Sequence, residues 1–562
     1  MAILAKDWSA RKPRYDVIVV GSGYGGSINA ARIAASGLAT VCVLERGREW
    51  PVGTFPDTDA GYVANARISR FDGSEIRLDN PLGVYETVIH KDISVIKGNG
   101  LGGTSLVNAN VAIRPDPEVF TLPGWPAAIT RAELDNYYPL AEATLGVAQT
   151  PGGAALPKVQ ALDRRAQQIG QNAELLNLAI NFNDRINPNT GEFQKGCIKC
   201  GDCYTGCNVG AKNTLYMNYL PLANNAGADI FTQIEIEWVE KVVGGWKVHG
   251  KRWIDRNNTE PVELESTNLI LSAGAVNTPE ILIRSRDDHG LSLSPAIGTK
   301  FGANGDFFGI AYNGDHQTRV LGFGNHPGSP LAVDPTGPAI VAAVRYNAGA
   351  PIGNRFTIED LSFASAFVAR AQRAFAGLTL ISQDTDHGLA DDLAEAWRVA
   401  QGLVTPLGTG TALNYTMFYL CMGIDDSGGR VQRDSSGKFE ISWPNAGLQP
   451  VFATINAEIF QHAKREGAHF AENPLWVFAA RKNVITAHPL GGCTMSDDPT
   501  VGATDQYGRV YDGGGGVHDG LLVADGSLLP SALAVNPFLT ISAISERIAK
   551  YKVDELNGIP YP

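Results

Sequence analysis

The stretch Tyr15–Glu45, YDVIVVGSGYGGSINAARIAASGLATVCVLE, decides the fold of this chain. Val17–Val20 is a short apolar, β-branched run that reads as a strand. Gly21, Gly23 and Gly26 then supply Gly-x-Gly-x-x-Gly, and the small residues from Ser27 to Ala35 read as a closely packed helix. A second strand, Thr40–Leu44, ends in Glu45. Gly21 permits the tight turn, Gly23 lets a pyrophosphate approach the backbone, and Gly26 lets helix and strand touch. The helix N-terminus offers unpaired N–H groups and a positive dipole end to that pyrophosphate. Glu45, nineteen residues after Gly26, is placed to accept from the ribose hydroxyls. A glycine triplet alone also fits an ordinary α/β turn. In the order strand, turn, helix, strand, acid it marks a dinucleotide site.

Working outward, 562 residues are enough for two large domains. A hydrophobic fraction of 44% and a charged fraction of 19% suit a globular chain with a sizeable core. The net charge of −12, with no basic tract, argues against nucleic acid and anionic membrane surfaces as partners. The N-terminus, MAILAKDWSARKPR, lacks the apolar core of a signal peptide, and no segment offers about eighteen uninterrupted apolar residues. The expectation is therefore a cytoplasmic protein without a membrane span. Seven cysteines, four of them within eleven residues, do not resemble a secreted disulfide framework.

Beyond Glu45 a polar, Pro/Gly-rich passage to about Val84 reads as surface loop and lid. Tyr85–Val95 is strand-like and leads into a second glycine stretch, Lys97–Asn110, KGNGLGGTSLVNAN, suited to the same extended ligand. Thr130–Gly146 has helical spacing with a capping box at Thr130 and Glu133, and Ala155–Leu178 reads as a further helix. Lys247–Val262 is a β element, and Asn268–Leu282 is a buried strand, a small-residue turn and a helix with Pro279 near its start. That mid-chain return to strand–Gly–helix is what a discontinuous nucleotide-binding domain requires. Arg430–Trp443 reads as a hairpin, while Ala390–Leu403 and Ala453–Phe470 are amphipathic helices.

Near the C-terminus Thr486–Cys493 (TAHPLGGC), Gly520–Ser527 (GLLVADGS) and Ala534–Ser542 (AVNPFLTIS) lie close together. A buried strand, Leu521–Ala524, ends at Asp525-Gly526, where an α/β strand delivers a polar group to a ligand. Of ten histidines, His488 sits beside a Pro and two glycines before such a strand, a setting that favours a chemical role over a structural one.

At these residues the chain resembles the glucose–methanol–choline (GMC) flavin oxidoreductases, and within them the cholesterol-oxidase-like branch. VIVVGSGYGGS is similar to the family's FAD fingerprint, GNGLGGTSLVN to its second flavin loop, and AHPLGGC and VNPFLTIS to the blocks carrying the catalytic His and Asn. LILSAGAVNTPEIL resembles a further family signature, although Ser285-Arg286 departs from the usual Ser-Gly. AHPLGGC, SLVN, FGANGDFFG and the His/Asn pairing favour the branch. The resemblance implies an α/β fold with a Rossmann-like FAD-binding domain, discontinuous over 11–115, 212–306 and 485–562. It implies a substrate-binding domain over 116–211 and 307–484, built on a mixed or antiparallel sheet covered by helices, with a Cys-rich loop at 197–207.

It further implies non-covalent FAD held by Gly21, Gly23, Tyr24, Gly25, Gly26, Glu45, Arg46, Gly100, Gly102, Gly103, Ser105, Asn108, Val239, Ala273, Gly274, Asp525, Gly526, Asn536, Pro537 and Phe538. Absence of His or Cys between Lys97 and Asn110 agrees with a non-covalent flavin. A small hydrophobic alcohol, sterol-like or otherwise secondary, would present its hydroxyl to His488 as base and Asn536 as positioning amide, with oxygen or another acceptor taking the electrons. Glu359, in RFTIEDLSF, aligns with the carboxylate that isomerises a steroid double bond, against the alternative of a solvated strand glutamate. A flavin-containing lyase and a dehydrogenase passing electrons to a non-oxygen acceptor are the alternative activities, and oligomeric state is left open.

Cys197, Cys200, Cys203 and Cys207 have the spacing C-x2-C-x2-C-x3-C of bacterial ferredoxins. Asn208 stands where Pro is expected, and no second run of cysteines exists. The reading therefore favours no metal, with an iron–sulfur cluster, a four-thiolate zinc site and a disulfide pair as alternatives.

Overall fold

The computed structural model describes residues 3–70, 78–326, 328–378, 382–386, 388–473 and 482–562; of the expected loop and lid passage, 71–77 lie outside this set. Arg14–Val20 is the first strand, and its apolar end lies between two parallel neighbours, Val41–Leu44 and the last residues of Thr259–Leu271. A strand covered on both faces is uniformly apolar rather than alternating, which is why Val17–Val20 carries no polar residue. Asp229–Phe231 pairs beyond Val41–Leu44 and Val517–Val523 beyond Thr259–Leu271, completing a parallel core in the order 229–231, 41–44, 14–20, 265–271, 521–523. Helix Tyr24–Ser36 follows the first strand and packs its small side chains against the final helix, Phe538–Leu556.

The start of Thr259–Leu271 pairs antiparallel with Gly245–Trp253, which pairs in turn with Ile234–Val242. The β element expected over 247–262 is thus two strands of a meander. Tyr85–Val95 is likewise two antiparallel strands, Tyr85–Ile89 and Ile93–Gly98, joined at a polar turn. Together with Ala66–Arg70 and Val484–Thr486 they form a four-stranded sheet. The helix expected over 155–178 runs only from Pro157 to Gln168. Gly170 follows in the left-handed region (φ 73°), and the chain continues as short strands Glu174–Leu175 and Asn177–Leu178. Thr130 caps its helix by accepting from the Glu133 N–H at 3.1 Å, but the Glu133 carboxylate accepts from Arg547 instead of completing a capping box.

The middle of the chain builds a six-stranded antiparallel sheet in the order 469–471, 307–312, 417–423, 356–361, 342–346, 174–175. Helices Pro157–Gln168 and Pro450–Glu466 pack on it and on each other. Among the described residues, no helix is long and apolar enough to cross a membrane.

Candidate active site

The two glycine loops meet at the carboxyl end of the parallel strands. Ser22 Oγ accepts from the Gly102 N–H at 2.9 Å and donates to Glu45 Oε2 at 2.6 Å, so one hydroxyl joins both loops to the end of the second strand. Glu45 also accepts from the N–H groups of Ser22 (3.1 Å) and Gly47 (2.8 Å). Burial pushes its carboxyl up, and these bonds oppose the shift. Its oxygens keep further acceptor capacity. In front of it opens a cavity of about 510 Å³, bordered by Gly21–Gly23, Glu45, Arg46, Gly103, Ala273 and Gly274. Burial works against the charge on Glu86 in the same wall, but Arg46, Lys97 and Arg67 together hold its carboxyl well below the usual range. Arg46 is hydrogen-bonded to Glu86 and, at 3.2 Å, to Asn99 Oδ1.

The glycines divide by what they approach. A Cβ on Gly25 would sit 1.3 Å from the Ala524 carbonyl oxygen, and one on Gly26 would sit 1.9 Å from that of Gly21. The helix can begin here only without side chains at those positions. Among the described residues a Cβ on Gly23 or Gly274 would meet no atom within 4 Å, and both border the cavity. Beyond the cavity Tyr24 stacks on Phe538 (ring centroids 4.8 Å apart), and its hydroxyl accepts from Asn108 Nδ2 at 2.8 Å.

His488 and Asn536 dock on one turn, Ala303–Asp306. Asp306 Oδ1 lies 2.8 Å from His488 Nδ1, while Oδ2 accepts from Thr486 Oγ1 (2.8 Å), the Ala487 N–H (2.9 Å) and the His488 N–H (3.1 Å). From the same turn, Asn304 Nδ2 donates to the Val535 carbonyl (2.9 Å) and its Oδ1 accepts from the Leu533 N–H (2.8 Å). Asp425 Oδ2 clamps the turn by accepting from Ala303 and Gly305. A carboxylate facing Nδ1 keeps the proton on that nitrogen and leaves Nε2 as the acceptor. Asn536 Nδ2 donates to Glu359 Oε2 at 3.3 Å. Among the described residues its Oδ1, Glu359 Oε1 and Asn108 Oδ1 are buried without a partner, and such atoms call for a ligand or solvent that completes them.

Adjacent residues of a strand point to opposite faces. Glu359 therefore meets Asn536, while Asp360 turns to the other face and meets Lys158 of the covering helix at 2.8 Å. Burial pushes the Glu359 carboxyl well above the ordinary range, Asp360 and Asp306 add to this, and the Asn536 bond opposes it. The folded state therefore binds a proton that the unfolded chain releases above about pH 4.5. Stability falls as pH rises from there through the folded value, by up to about 1.4 kcal/mol per pH unit. Glu359→Gln is expected to remove that decline. Melting temperatures of both proteins between pH 5 and 8 check this, and curves that run parallel contradict it.

A sequence model described as GMC oxidoreductase matches residues 15–301, and its C-terminal counterpart matches residues 446–545. The chain belongs to the GMC oxidoreductase family. This GMC oxidoreductase is 29% identical to a cholesterol oxidase of Mycobacterium tuberculosis, over 96% of this chain and 91% of the relative. It is 25% identical to a cholesterol oxidase of Acinetobacter baumannii, over 96% and 94%. A solved pyridoxine 4-oxidase from Mesorbium loti shares the fold, with a TM-score of 0.57 and 16% identity over 95% of this chain and 98% of that one. The family binds FAD. The residues around the cavity fit such a dinucleotide: two glycines open onto it, and the helix N-terminus and Glu45 stand at its edge.

Other residues of this GMC oxidoreductase named from the sequence are engaged in the walls and turns around the cavity. Val239 is fully buried and donates its N–H to Ser285 Oγ at 2.9 Å; the cavity is bordered instead by Ile234–Glu237 of that strand. A register shift between Ile236 and Trp238 separates the two stretches. Asp525 does not present a free carboxylate: it accepts from the Gly274 N–H (2.8 Å), Thr278 Oγ1 (2.6 Å) and the Ser527 N–H (2.8 Å), fastening one β–α turn to the next. Ser105 Oγ donates to the Gly102 carbonyl and accepts from the Leu215 N–H, shaping the second loop. Gly100 faces Trp50 and Leu106 within the same fold of chain. Gly526 accepts, through its carbonyl, from the Gly491 N–H at 3.1 Å. Pro537 leads into the final helix beside Asn536 and Phe538. Asp306 is the residue that sequence reasoning missed. Its signal lay in FGANGDFFG, whose asparagine, glycine and aspartate form the docking turn.

Proposed function

We propose that this GMC oxidoreductase oxidises the CH–OH group of a hydrophobic secondary alcohol, sterol-like in the first instance, with oxygen or another acceptor taking the electrons onward. Segments 11–115, 212–306 and 485–562 hold non-covalent FAD, and 116–211 and 307–484 hold the substrate. When bound, FAD supplies the hydride acceptor. His488 Nε2 takes the hydroxyl proton, the Asn536 amide holds the hydroxyl oxygen, and Glu359 orients that amide from behind. Glu359 is also the candidate for shifting a double bond in a sterol-like product. The observation that carries the reading is the Asp306–His488 pair, which supports an unprotonated Nε2 on the same turn that docks the Asn536 segment. The names of the two cholesterol oxidases support the substrate class.

The test is anaerobic mixing of the purified protein with sterols, terpene alcohols and long-chain alcohols, followed at the flavin absorbance. Wild type is expected to bleach with a matching alcohol. His488→Ala and Asn536→Ala are expected to retain flavin and slow bleaching by about 10²–10⁴-fold. Wild-type rates in both variants would refute the site.

A further inference from the structure

The loop Cys197–Cys207 is held from several sides. Phe323 donates its N–H to the Cys200 carbonyl (3.0 Å), Gly337 donates to the Lys199 carbonyl (3.0 Å), and the Tyr85 hydroxyl donates to the Thr205 carbonyl (2.5 Å). Asn208 exchanges two bonds of 2.9 Å with the backbone of Phe55. Lys199 and Gly206 both adopt positive φ (60° and 102°), so the chain winds tightly round its own interior. Cys197, Cys200, Cys203 and Cys207 all border one pocket in that interior, and none forms a disulfide.

We propose that these four cysteines ligate an iron–sulfur cluster, reversing the expectation of a metal-free loop. The sulfur spacing separates this from zinc. Four sulfurs held tetrahedrally at about 2.3 Å from one zinc lie about 3.8 Å from one another. Among the described residues, no three of these sulfurs lie within 4.8 Å of one another. Thiols that share a pocket but stand too far apart for one ion suit a cluster of several irons with bridging sulfide. The winding of the loop brings Cys207 back to the pocket of the other three, so one loop supplies four sulfurs.

Two further observations come from the pocket wall. N–H groups are aimed at the sulfurs: Lys199 donates to Cys197 Sγ at 3.3 Å and Ala339 donates to Cys203 Sγ at 3.4 Å. Such bonds stabilise thiolate charge on a cluster. Lys212 is buried and reaches the carbonyls of Cys203 (2.9 Å), Leu106 (3.1 Å) and Asn108 (2.6 Å). Among the described residues it has no carboxylate partner, and the ionisable groups it faces are Cys203 and Cys207. Its Nζ thus holds the backbone of one proposed ligand, Cys203, in place at the pocket wall.

The same ammonium stitches the cysteine loop to the second glycine loop at Asn108. If the proposed FAD reading holds, the cluster lies beside the flavin; the cluster assignment itself does not depend on that reading.

The experiment is iron, zinc and acid-labile sulfide analysis of the full-length protein purified without oxygen and, separately, reconstituted with ferrous iron and sulfide. Electron paramagnetic resonance before and after dithionite accompanies it, and flavin is quantified in the same samples. About three to four irons per chain with matching sulfide and a cluster resonance are expected. Cys200→Ser and Cys203→Ser are each expected to lose most of that iron while keeping wild-type flavin. One zinc per chain, or wild type that takes up no iron on reconstitution, overturns the proposal. Native thiol titration guards against misfolded variants: the four cysteines of wild type are expected to react only after iron is chelated. Four thiols reactive at once in the untreated protein overturn it as well. Loss of flavin with iron retained would count against the FAD reading alone.

Discussion

Asp306→Asn is expected to slow bleaching of the flavin by a substrate alcohol by about 10²–10⁴-fold, with flavin content and melting temperature close to wild type. The effect turns on how an amide must sit. Three donors, Thr486 Oγ1 and the N–H groups of Ala487 and His488, converge on Oδ2, whereas His488 Nδ1 alone faces Oδ1. An asparagine satisfies the three donors by placing its oxygen among them, which turns its NH₂ toward Nδ1. The imidazole then accepts at Nδ1 and carries its proton on Nε2, the nitrogen that should receive the hydroxyl proton. The ring stays in place and the base is lost. Stopped-flow bleaching under anaerobic conditions measures the effect, and a rate within threefold of wild type would show that Asp306 does not set the tautomer.

The second large effect concerns stability. Lys158→Met is expected to destabilise the fold by about 3–5 kcal/mol, the usual consequence of breaking a buried pair from one side. Lys158 and Asp360 are both fully enclosed, with Nζ 2.8 Å from Oδ2. The ammonium also donates to the carbonyls of Pro338 (2.6 Å) and Ala339 (3.1 Å) and to Ser362 Oγ (3.0 Å). Asp360 accepts from the N–H groups of Val341 and Ala342, so its carboxylate stays put when the cation goes. Replacing both partners, as Lys158→Met with Asp360→Leu, should recover much of the loss, because no uncompensated charge remains. Urea midpoints of the two proteins make the comparison. If the single variant loses less than about 1 kcal/mol, water reaches the pair.

The Lys158–Asp360 pair also bears on the site. Asp360 anchors the strand whose preceding residue, Glu359, meets Asn536. A shift of that strand by one residue would exchange the two carboxylates between faces, burying Glu359 against Lys158. The salt bridge thus selects the register that places Glu359 at the site.

The amino-acid sequence by itself determined the nucleotide fold, the family and the histidine and asparagine blocks, because those features are demands of local backbone. Gly25 and Gly26 sit where carbonyls approach to within a side chain's own radius, and no other residue type satisfies that contact. Val17–Val20 is apolar throughout because both faces of its sheet are covered. Demands of this kind leave short contiguous marks. What only the tertiary structure decided depends on partners far apart along the chain. Asp306 is one of 58 acids, and although FGANGDFFG marks a turn, it does not say that the turn meets a histidine 182 residues away. Glu359 and Asp360 are indistinguishable as neighbours until the sheet fixes which faces the helices and which faces Asn536. Asp525 ends its strand in the sequence, and only folding brings Gly274 and Thr278 to its oxygens. Cysteine spacing favoured a metal-free loop over a cluster, zinc or a disulfide, since spacing constrains the chain and not the distances between sulfurs; those are set by the segments that grip the loop from outside.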